Sequence, residues 1–214
     1  MKVALYTCIV NNRDTVKSIE FKDSIDYVLF TDSNIKSDDW DVRSIIKEYE
    51  DPVRTARYHK HHPFELFPDY DYVIWLDATH WPYNSVFSLI SNFEISTMIH
   101  PLRKTVEAEA EACLGLDDPQ IIKNQIARYK ADGFLDDIGL FSTACVIYKN
   151  TEQTKKFNYF WWEEIQKGSR RDQLSYPYCL WKLKINYGIL PGVCRLGFNP
   201  VFKMKSHYTN KMFL

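Results

Sequence analysis

The sequence predicts a single α/β domain with a mostly parallel central sheet flanked by helices. Apolar runs typical of strands alternate along the chain with segments of high helix propensity, which is the pattern of sheets whose strands are joined by helical connections. The predicted strand at 72–77 is apolar at the consecutive positions 72–76, as expected of a strand covered on both faces, and it ends in Asp77. The 214 residues contain no linker, internal repeat or low-complexity tract. We therefore expect one domain over residues 1–214, either a whole protein or one module of a longer one.

Short runs rich in β-branched and aromatic residues predict the strands. Turn-forming residues follow two of these runs, Asn-Asn-Arg-Asp at 11–14 and Asp-Ser-Asn at 32–34. A Pro-Gly pair at 191–192 follows the last one. The predicted strands span residues 2–8, 25–31, 40–46, 72–77, 95–100, 139–148 and 187–190.

Helix propensity and the spacing of apolar residues predict the intervening helices. Two prolines should break or kink them, Pro63 in the first helix and Pro177 in the last, because proline lacks the amide proton and clashes with the preceding turn. The predicted helices span residues 52–67, 85–92, 105–113, 119–131, 152–166 and 171–183.

Composition and charge argue against several classes of protein. Lys and Arg number 27 and Asp and Glu 28, for a formal net charge of -1, whereas nucleic-acid-binding domains are strongly basic. We find no signal-peptide pattern and no apolar run long enough to span a bilayer, so we expect a soluble cytoplasmic protein, in the host cytoplasm if it is viral. No CxxC spacing occurs, and we expect reduced cysteines rather than disulfides or a zinc site. They are Cys8, Cys113, Cys145, Cys179 and Cys194.

Polar residues lie at the C-terminal ends of four predicted strands, at Thr7, Asp32, Asp77 and His100. Ligands of α/β sheets bind in the crevice outside the carboxyl ends of the strands. A single polar residue can simply end a strand, but four at the same edge of the sheet indicate a site. The common fingerprints GxGxxG, GxxxxGK[ST] and GxSxG are absent, which disfavours a dinucleotide site, a P-loop and a nucleophile elbow.

The segment Leu-Asp-Ala-Thr at 76–79 suggests a metal-assisted site. Asp77 at a strand end can supply one oxygen ligand to a cation of the Mg²⁺ or Mn²⁺ type, and the Thr79 hydroxyl and a distant histidine could complete the shell. Such a cation neutralises the charge that grows on a diphosphate as a sugar leaves it. The alternative is an aspartate that only caps the next turn.

Two further groups of polar residues have a functional and a structural interpretation. Arg57 and Lys60 lie three apart and share one face of the first predicted helix, which is either a phosphate-binding or a solvated basic face. Asp172 follows Arg170 and Arg171 at a helix start. It either caps that helix or is held ionised by the arginines to serve as a base or to face a cationic sugar.

The segment 72–80, Tyr-Val-Ile-Trp-Leu-Asp-Ala-Thr-His, resembles the DxD segment of GT-A glycosyltransferases. In the same chain order, the segments 30–32, 139–144 and 171–175 resemble further segments of these enzymes, and 207–211 resembles the C-terminal motif of family 8-like transferases. Residues 54–81, 100–103 with Glu107, and 170–183 are similar to the TOD/MUCI-type glycosyltransferase-like family. The compact length also resembles the glycosyltransferase domains with which chlorella viruses decorate their capsid glycan.

The resemblance implies a Rossmann-like GT-A domain that binds a UDP-sugar and a Mn²⁺ or Mg²⁺ ion. Asp77 and His207 would hold the metal, and Asp172 with Gln173 would act at the sugar. The resemblance further implies that nucleotide and donor binding involve Thr7, Asp32, Arg57, Lys60, Asp77, Ala78, Thr79, Ser142, Thr143 and Lys211. It also implies donor-sugar or acceptor contacts from His100, Arg103 and Glu107.

The chain departs from the family 8-like pattern at two places. Thr79 replaces the second aspartate of DxD, so metal binding would rest on Asp77 and His207. The glycine of the C-terminal motif is absent and the spacing to Lys211 is shorter, which weakens Lys211 as a diphosphate contact.

We therefore expect a metal-dependent transferase that moves a sugar from a UDP-sugar to a hydroxyl of a glycan or glycoprotein, with no nucleic-acid partner. A nucleotide-sugar-binding domain without catalysis and a metal-dependent nucleotide-sugar hydrolase are the alternatives. Whether the sugar's configuration is retained or inverted stays open, with the family 8-like features favouring retention. The donor sugar, the linkage and the oligomeric state also stay open.

Overall fold

The computed structural model describes residues 1–194 and 199–205. Its helices are α1 (Pro52–His61), α2 (Pro63–Leu66), α3 (Val106–Cys113), α4 (Pro119–Ala131), α5 (Glu152–Lys167) and α6 (Asp172–Leu183), with a 3-10 helix at Val86–Leu89. Its strands are β1 (Val3–Ile9), β2 (Asp26–Thr31), β3 (Asp41–Ser44), β4 (Tyr72–Leu76), β5 (His80–Pro82), β6 (Ile95–Ile99), β7 (Phe141–Lys149), β8 (Tyr187–Ile189) and β9 (Phe202–Met204).

Seven strands form one sheet in the order β3-β2-β1-β4-β7-β6-β8. The pairings β3–β2, β2–β1, β1–β4 and β6–β8 are parallel, and only β7 runs against its neighbours. The predicted α/β fold with a mostly parallel sheet is therefore confirmed. A second, antiparallel sheet pairs β5 with β9, and the sequence did not predict it.

Alternate residues of β1 enter two hydrophobic layers on opposite faces of the sheet. Tyr6 packs with the layer that contains Trp75 and Trp161, whereas Leu5 packs with Ile74 on the other side. Every residue of β4 is buried, as expected of a strand covered on both faces. The strand that carries Asp77 at its end is thus fixed by packing on both sides.

A capping aspartate and two prolines set the bounds of helix α1. The Asp51 carboxylate accepts a hydrogen bond from the Val53 amide, and Pro52 occupies the first turn, where its missing amide proton costs nothing. The helix ends at His61, and Pro63 opens the short helix α2. The predicted break at Pro63 is confirmed.

Two predicted elements differ from the structure. The segment 85–92 forms only a 3-10 turn at Val86–Leu89. Helix α6 continues through Pro177 without interruption. Proline removes one backbone hydrogen bond there, and Tyr176, Pro177 and Tyr178 are all buried, so side-chain packing offsets the loss.

The strand order reverses between β1 and β4. From β1 the chain proceeds to β2 and β3 on one side, and it then returns to β4 on the other. Such a switch point opens a crevice at the carboxyl ends of the two strands. In the described residues, no helix has the length and apolar character needed to cross a membrane.

Candidate functional site

A cleft of about 350 Å³ opens at this switch point, between the ends of β1 and β4 and the first turns of α1. Its wall combines apolar residues with charged ones. The lining consists of Cys8, Ile9, Val10, Arg13, Asp14, Pro52, Val53, Ala56, Arg57, Trp75, Asp77, Ala78 and Arg171. Of the four polar residues predicted at strand ends, Asp77 lines this cleft, and Thr7, Asp32 and His100 do not.

Asp77 lies directly after β4 and is half-buried in the wall of the cleft. Its Oδ1 accepts a hydrogen bond of 2.7 Å from the indole N–H of Trp75. Its backbone amide donates to the carbonyl of Ala144, which ties the turn to β7. Ala78 follows in the same wall. The carboxylate is therefore held at the cleft by both its side chain and its backbone.

Thr79, at the position of the second DxD aspartate, is directed elsewhere. Its hydroxyl is 3.0 Å from Nδ1 of His80, and both residues are buried. The other ring nitrogen of His80 lies 3.2 Å from the carbonyl of Cys194. Thr79 does not line the cleft, so its expected donation to a metal does not fit this arrangement.

The described residues supply one of the two predicted metal ligands, Asp77. Within residues 1–194 and 199–205, no group of three His, Cys, Asp or Glu side chains is placed to hold a metal ion. His207, the second predicted ligand, and Lys211 lie outside the described residues. The described part of the chain therefore does not by itself form a metal site.

Asp172 is the centre of a buried ion cluster next to the cleft. It is the first residue of α6, and its side chain is 2% exposed. Its Oδ1 lies 3.1 Å from Nη2 of Arg57, and its Oδ2 lies 2.6 Å from Nζ of Lys60. The Thr143 hydroxyl donates to the same Oδ2 at 2.9 Å. Both carboxylate oxygens are thus engaged.

The ion cluster keeps Asp172 charged. Burial raises the pKa of its carboxyl, but the neighbouring charges of Arg57 and Lys60 outweigh burial and hold that pKa well below the usual range. The sequence assigned this effect to Arg170 and Arg171. Arg170 instead pairs with Asp51 at 3.1 Å, so the cations come from α1. A carboxylate with so low a pKa and with both oxygens engaged is a poor proton acceptor.

Lys60 has no accessible surface. Its Nζ donates to Asp172 and, at 2.5 Å, to the carbonyl of Thr143, between the rings of Trp75 and Trp161. Burial lowers the pKa of its ammonium, and Asp172 opposes that effect. The predicted direct contact of Lys60 with the nucleotide does not fit, because the side chain is sealed behind the cleft.

Arg57 and Arg171 bring guanidinium groups to the wall of the cleft. Arg57 enters from α1 and Arg171 from the residue before α6. The Nε atom of each is buried without a hydrogen-bond partner among the described residues. Arg171 was not predicted as a site residue. The sequence feature that could have indicated it is the Arg-Asp-Gln motif at 171–173, of which only Asp172 and Gln173 were predicted to act at the sugar.

Gln173 and Ser142 contact neighbouring side chains rather than the cleft. The Gln173 carbonyl oxygen accepts a long hydrogen bond of 3.4 Å from Arg171. The Ser142 hydroxyl donates to the sulfur of Cys194 at 2.6 Å, and Ser142 is buried. Neither residue lines the cleft.

Asp32 anchors the loop that follows β1. Both of its carboxylate oxygens accept the backbone amide of Asn11, at 3.0 and 2.9 Å. Asn11 and Asn12 have φ angles of 54° and 50°, which asparagine tolerates better than most residues. The Arg13 amide donates to the Val10 carbonyl and closes this turn. Asp32 thus positions the loop from which Arg13 enters the cleft.

Thr7 faces away from the cleft. Its hydroxyl is buried without a partner among the described residues. It lines a separate cavity of about 10 Å³ together with Lys17 and His80, a volume that suits a single water molecule. The predicted direct contact of Thr7 with the nucleotide does not fit this orientation.

The predicted group His100, Arg103 and Glu107 is brought together only in part. The His100 ring accepts the Arg103 backbone amide at 2.9 Å. The carboxylate that joins them is Glu109, which pairs with Arg103 and lies 3.7 Å from Nε2 of His100. Glu107 is 59% exposed and pairs with Lys130. Glu109, rather than Glu107, thus joins His100 and Arg103, and the sugar or acceptor contact of Glu107 stays a prediction.

Comparisons with known proteins identify the family of the chain and support its fold. Residues 30–192 match the family described as TOD1/MUCI70, glycosyltransferase-like domain. Among solved structures 136 chains match. One is the apo structure of WbbM, a bifunctional glycosyltransferase, with a TM-score of 0.50, 11% identity and coverage of 89% of this chain. The chain spans 38% of that WbbM chain, and the likeness concerns the fold alone. No curated protein matches.

Proposed function

This chain belongs to the TOD1/MUCI70 glycosyltransferase-like family, and we propose that it transfers a sugar from a UDP-sugar to a hydroxyl group of a glycan or glycoprotein. The observation that carries the proposal is the cleft at the β1–β4 switch point, where Arg57, Asp77 and Arg171 meet. Sites of this kind bind nucleotides in α/β sheets. A wall with guanidinium groups suits their phosphates.

In the proposed complex, the diphosphate lies against Arg57 and the ribose against the turn at Asp77 and Ala78. The base extends toward the loop that Asp32 holds. Asp172 serves as a positioning residue, since it fixes Arg57 and Lys60 from behind the wall. His100 and Arg103, joined by Glu109, contact the sugar or the acceptor from the neighbouring strand end.

The reaction breaks the bond between the anomeric carbon and the diphosphate oxygen, which leaves with the electron pair. The acceptor hydroxyl oxygen forms the new bond and loses its proton. Two carboxylates line the cleft, Asp14 and Asp77, and Asp14 is hydrogen-bonded to Lys17. Asp172 is a poor base for the reasons given above. We therefore favour the retaining course, in which the leaving diphosphate accepts the proton.

The proposed cofactor is Mn²⁺ or Mg²⁺ with Asp77 and His207 as protein ligands. When bound, the ion would neutralise charge on the diphosphate. The Asp77 carboxylate at the cleft supports this part of the proposal. Chelation with EDTA followed by readdition of Mn²⁺ tests it in an assay of sugar transfer.

Thermal unfolding with UDP, GDP and CMP, each with and without Mn²⁺, tests the proposed nucleotide. UDP should stabilise the protein by about 2.7 kcal/mol at a hundredfold excess over Kd, and GDP and CMP should do so far less. Equal shifts with all three, or none, would contradict the proposal.

A non-catalytic nucleotide-sugar-binding domain is the second candidate, and the burial of Thr79 at the second DxD position favours it. This candidate predicts UDP binding without UDP release from UDP-sugars. A hydrolase, in contrast, would release UDP equally fast with and without an acceptor. Measuring UDP release under both conditions separates the three functions.

A further inference from the structure

Two guanidinium groups at the wall of the cleft, those of Arg57 and Arg171, each retain a buried N–H donor that no described residue accepts. Arg57 and Lys60 share the single carboxylate of Asp172. Arg171 is adjacent in sequence to that carboxylate and feels its charge. Arg57 and Lys60 thus share one directly paired carboxylate, while the charges of Asp77 and Glu109 act on Lys60 and Arg171 without an ion pair. Buried polar groups without partners cost free energy, so unpaired guanidinium donors at a cleft favour an anionic ligand.

Arg171 differs from its neighbour in the sequence. Arg170 pairs with Asp51 at 3.1 Å and lies 3.8 Å from Asp117. Arg171 forms no ion pair with a carboxylate of the described residues. Its Nη2 lies 3.4 Å from the neutral amide oxygen of Gln173, and its guanidinium also interacts with the Cys113 side chain and feels the charge of Glu109. Its Nε is buried and has no partner among those residues. Adjacent arginines thus have different roles, one closing a loop and the other facing the cleft.

Arg57 presents the second guanidinium. One of its terminal nitrogens is 3.1 Å from Asp172, and its Nε has no partner in the described part of the chain. Its side chain is therefore fixed at one end and retains donors for a ligand. Guanidinium groups offer planar pairs of N–H donors that match phosphate oxygens, and a diphosphate carries two phosphate groups.

We propose that Arg57 and Arg171 form a guanidinium clamp that binds the diphosphate of the nucleotide without a divalent cation. The inference rests on the proposed function, because it takes the ligand to be a nucleoside diphosphate. It adds Arg171 to the residues that contact the ligand. It also makes nucleotide binding independent of the metal ion. A divalent cation can assist sugar transfer, but the clamp binds UDP when no cation is present.

Isothermal titration of UDP and UMP into the full chain in EDTA tests the clamp. Wild-type protein should bind UDP in EDTA. Arg171→Gln should weaken UDP binding by about ten- to a hundredfold, the loss expected for one charge-assisted contact, and should weaken UMP less. Arg171→Lys should retain part of the affinity, because lysine keeps the positive charge but lacks the planar pair of N–H donors. Arg43→Gln is the matched control, an exposed arginine paired with Asp41 at the sheet edge, and should bind as wild type does.

The outcomes are distinguishable. UDP binding that requires Mn²⁺, or equal UDP affinity in wild type and Arg171→Gln, would overturn the clamp and leave the proposed function intact. No UDP binding with or without Mn²⁺ would overturn the proposed function itself. If Arg171→Gln does not fold by circular dichroism, Arg171→Lys decides: an affinity equal to that of wild type contradicts bidentate recognition by Arg171.

Discussion

Two carboxylates, Asp172 and Glu164, are equally buried in this protein, each with 2% of its side chain exposed. Glu164 accepts two hydrogen bonds from one guanidinium, that of Arg128, at 3.0 and 2.6 Å, and one from the hydroxyl of Tyr129 at 2.9 Å. Asp172 instead accepts from three groups, and two of them are cations. Glu164 therefore pairs with one cation, whereas Asp172 is shared by two.

The difference between the two clusters indicates that the one around Glu164 is structural and that the one around Asp172 belongs to the candidate site. Arg128 is 40% exposed, so water solvates the part of its charge that Glu164 does not. Lys60 has no access to water, and among the described carboxylates its ion pair is with Asp172. A buried carboxylate shared by two cations next to a cleft thus leaves guanidinium donors that a ligand can use. Five substitutions and one change of pH test this contrast.

The largest effect is expected for Asp172→Asn. The substitution leaves Lys60 and Arg57 without their common counter-charge, and loss of one partner of a buried ion pair costs about 3–5 kcal/mol. Urea denaturation measures the change in the free energy of unfolding. A loss below about 1 kcal/mol would mean that the ammonium of Lys60 becomes neutral or finds another acceptor.

Acid should destabilise the Asp172 cluster through His61, which packs against Trp161 at 4.1 Å between ring centroids and bonds the Arg57 carbonyl. Burial lowers the pKa of its imidazole well below the usual value. Below about pH 6.5 the unfolded chain therefore binds a proton that the folded chain refuses, and unfolding becomes easier as pH falls. We expect a loss of about 2 kcal/mol between pH 7 and pH 5 from this group.

His61→Phe isolates that contribution. The variant should show a shallower fall in unfolding free energy from pH 7 to pH 5 in urea titrations. The slope should not vanish, because burial also lowers the pKa values of His59 and His62. Identical slopes in wild type and variant would show that His61 is not the acid-sensitive group.

Glu164→Gln should cost less, about 1.5 kcal/mol, because exposed Arg128 can turn to water once the charge is lost. The free energy of unfolding should fall by this amount in urea, and UDP affinity should not change. A cost as large as that of Asp172→Asn would remove the contrast between the two clusters.

The smallest effects are expected when one hydroxyl donor is removed from each carboxylate. Thr143→Val and Tyr129→Phe each remove a single donor, to Asp172 and to Glu164 respectively, and each should cost about 1 kcal/mol. Only Thr143→Val should also alter UDP affinity, since Asp172 orients Arg57. Equal affinities in the two variants, measured by titration, would separate the Asp172 cluster from ligand binding.

Local sequence was a good guide to the elements of the fold. Helix α4 has the predicted bounds, because Asp118 caps it through two backbone amides and Pro119 occupies its first turn. The small sheet of β5 and β9 was missed, since three-residue strands give no periodic pattern. The placement of Asp77 after a strand buried on both faces was likewise readable from neighbouring residues.

What the sequence alone determined is the order and type of the strands of the main sheet and of its longer helices, and with them the edge of the sheet at which the cleft opens. Tertiary structure alone decided that Lys60 meets Asp172, 112 residues away, that Glu109 rather than Glu107 joins His100, and that Arg171 enters the cleft. Backbone preferences and hydrophobic periodicity act between close neighbours in the chain. Partners of buried charges are selected by packing, because only the folded core excludes the water that would otherwise solvate them.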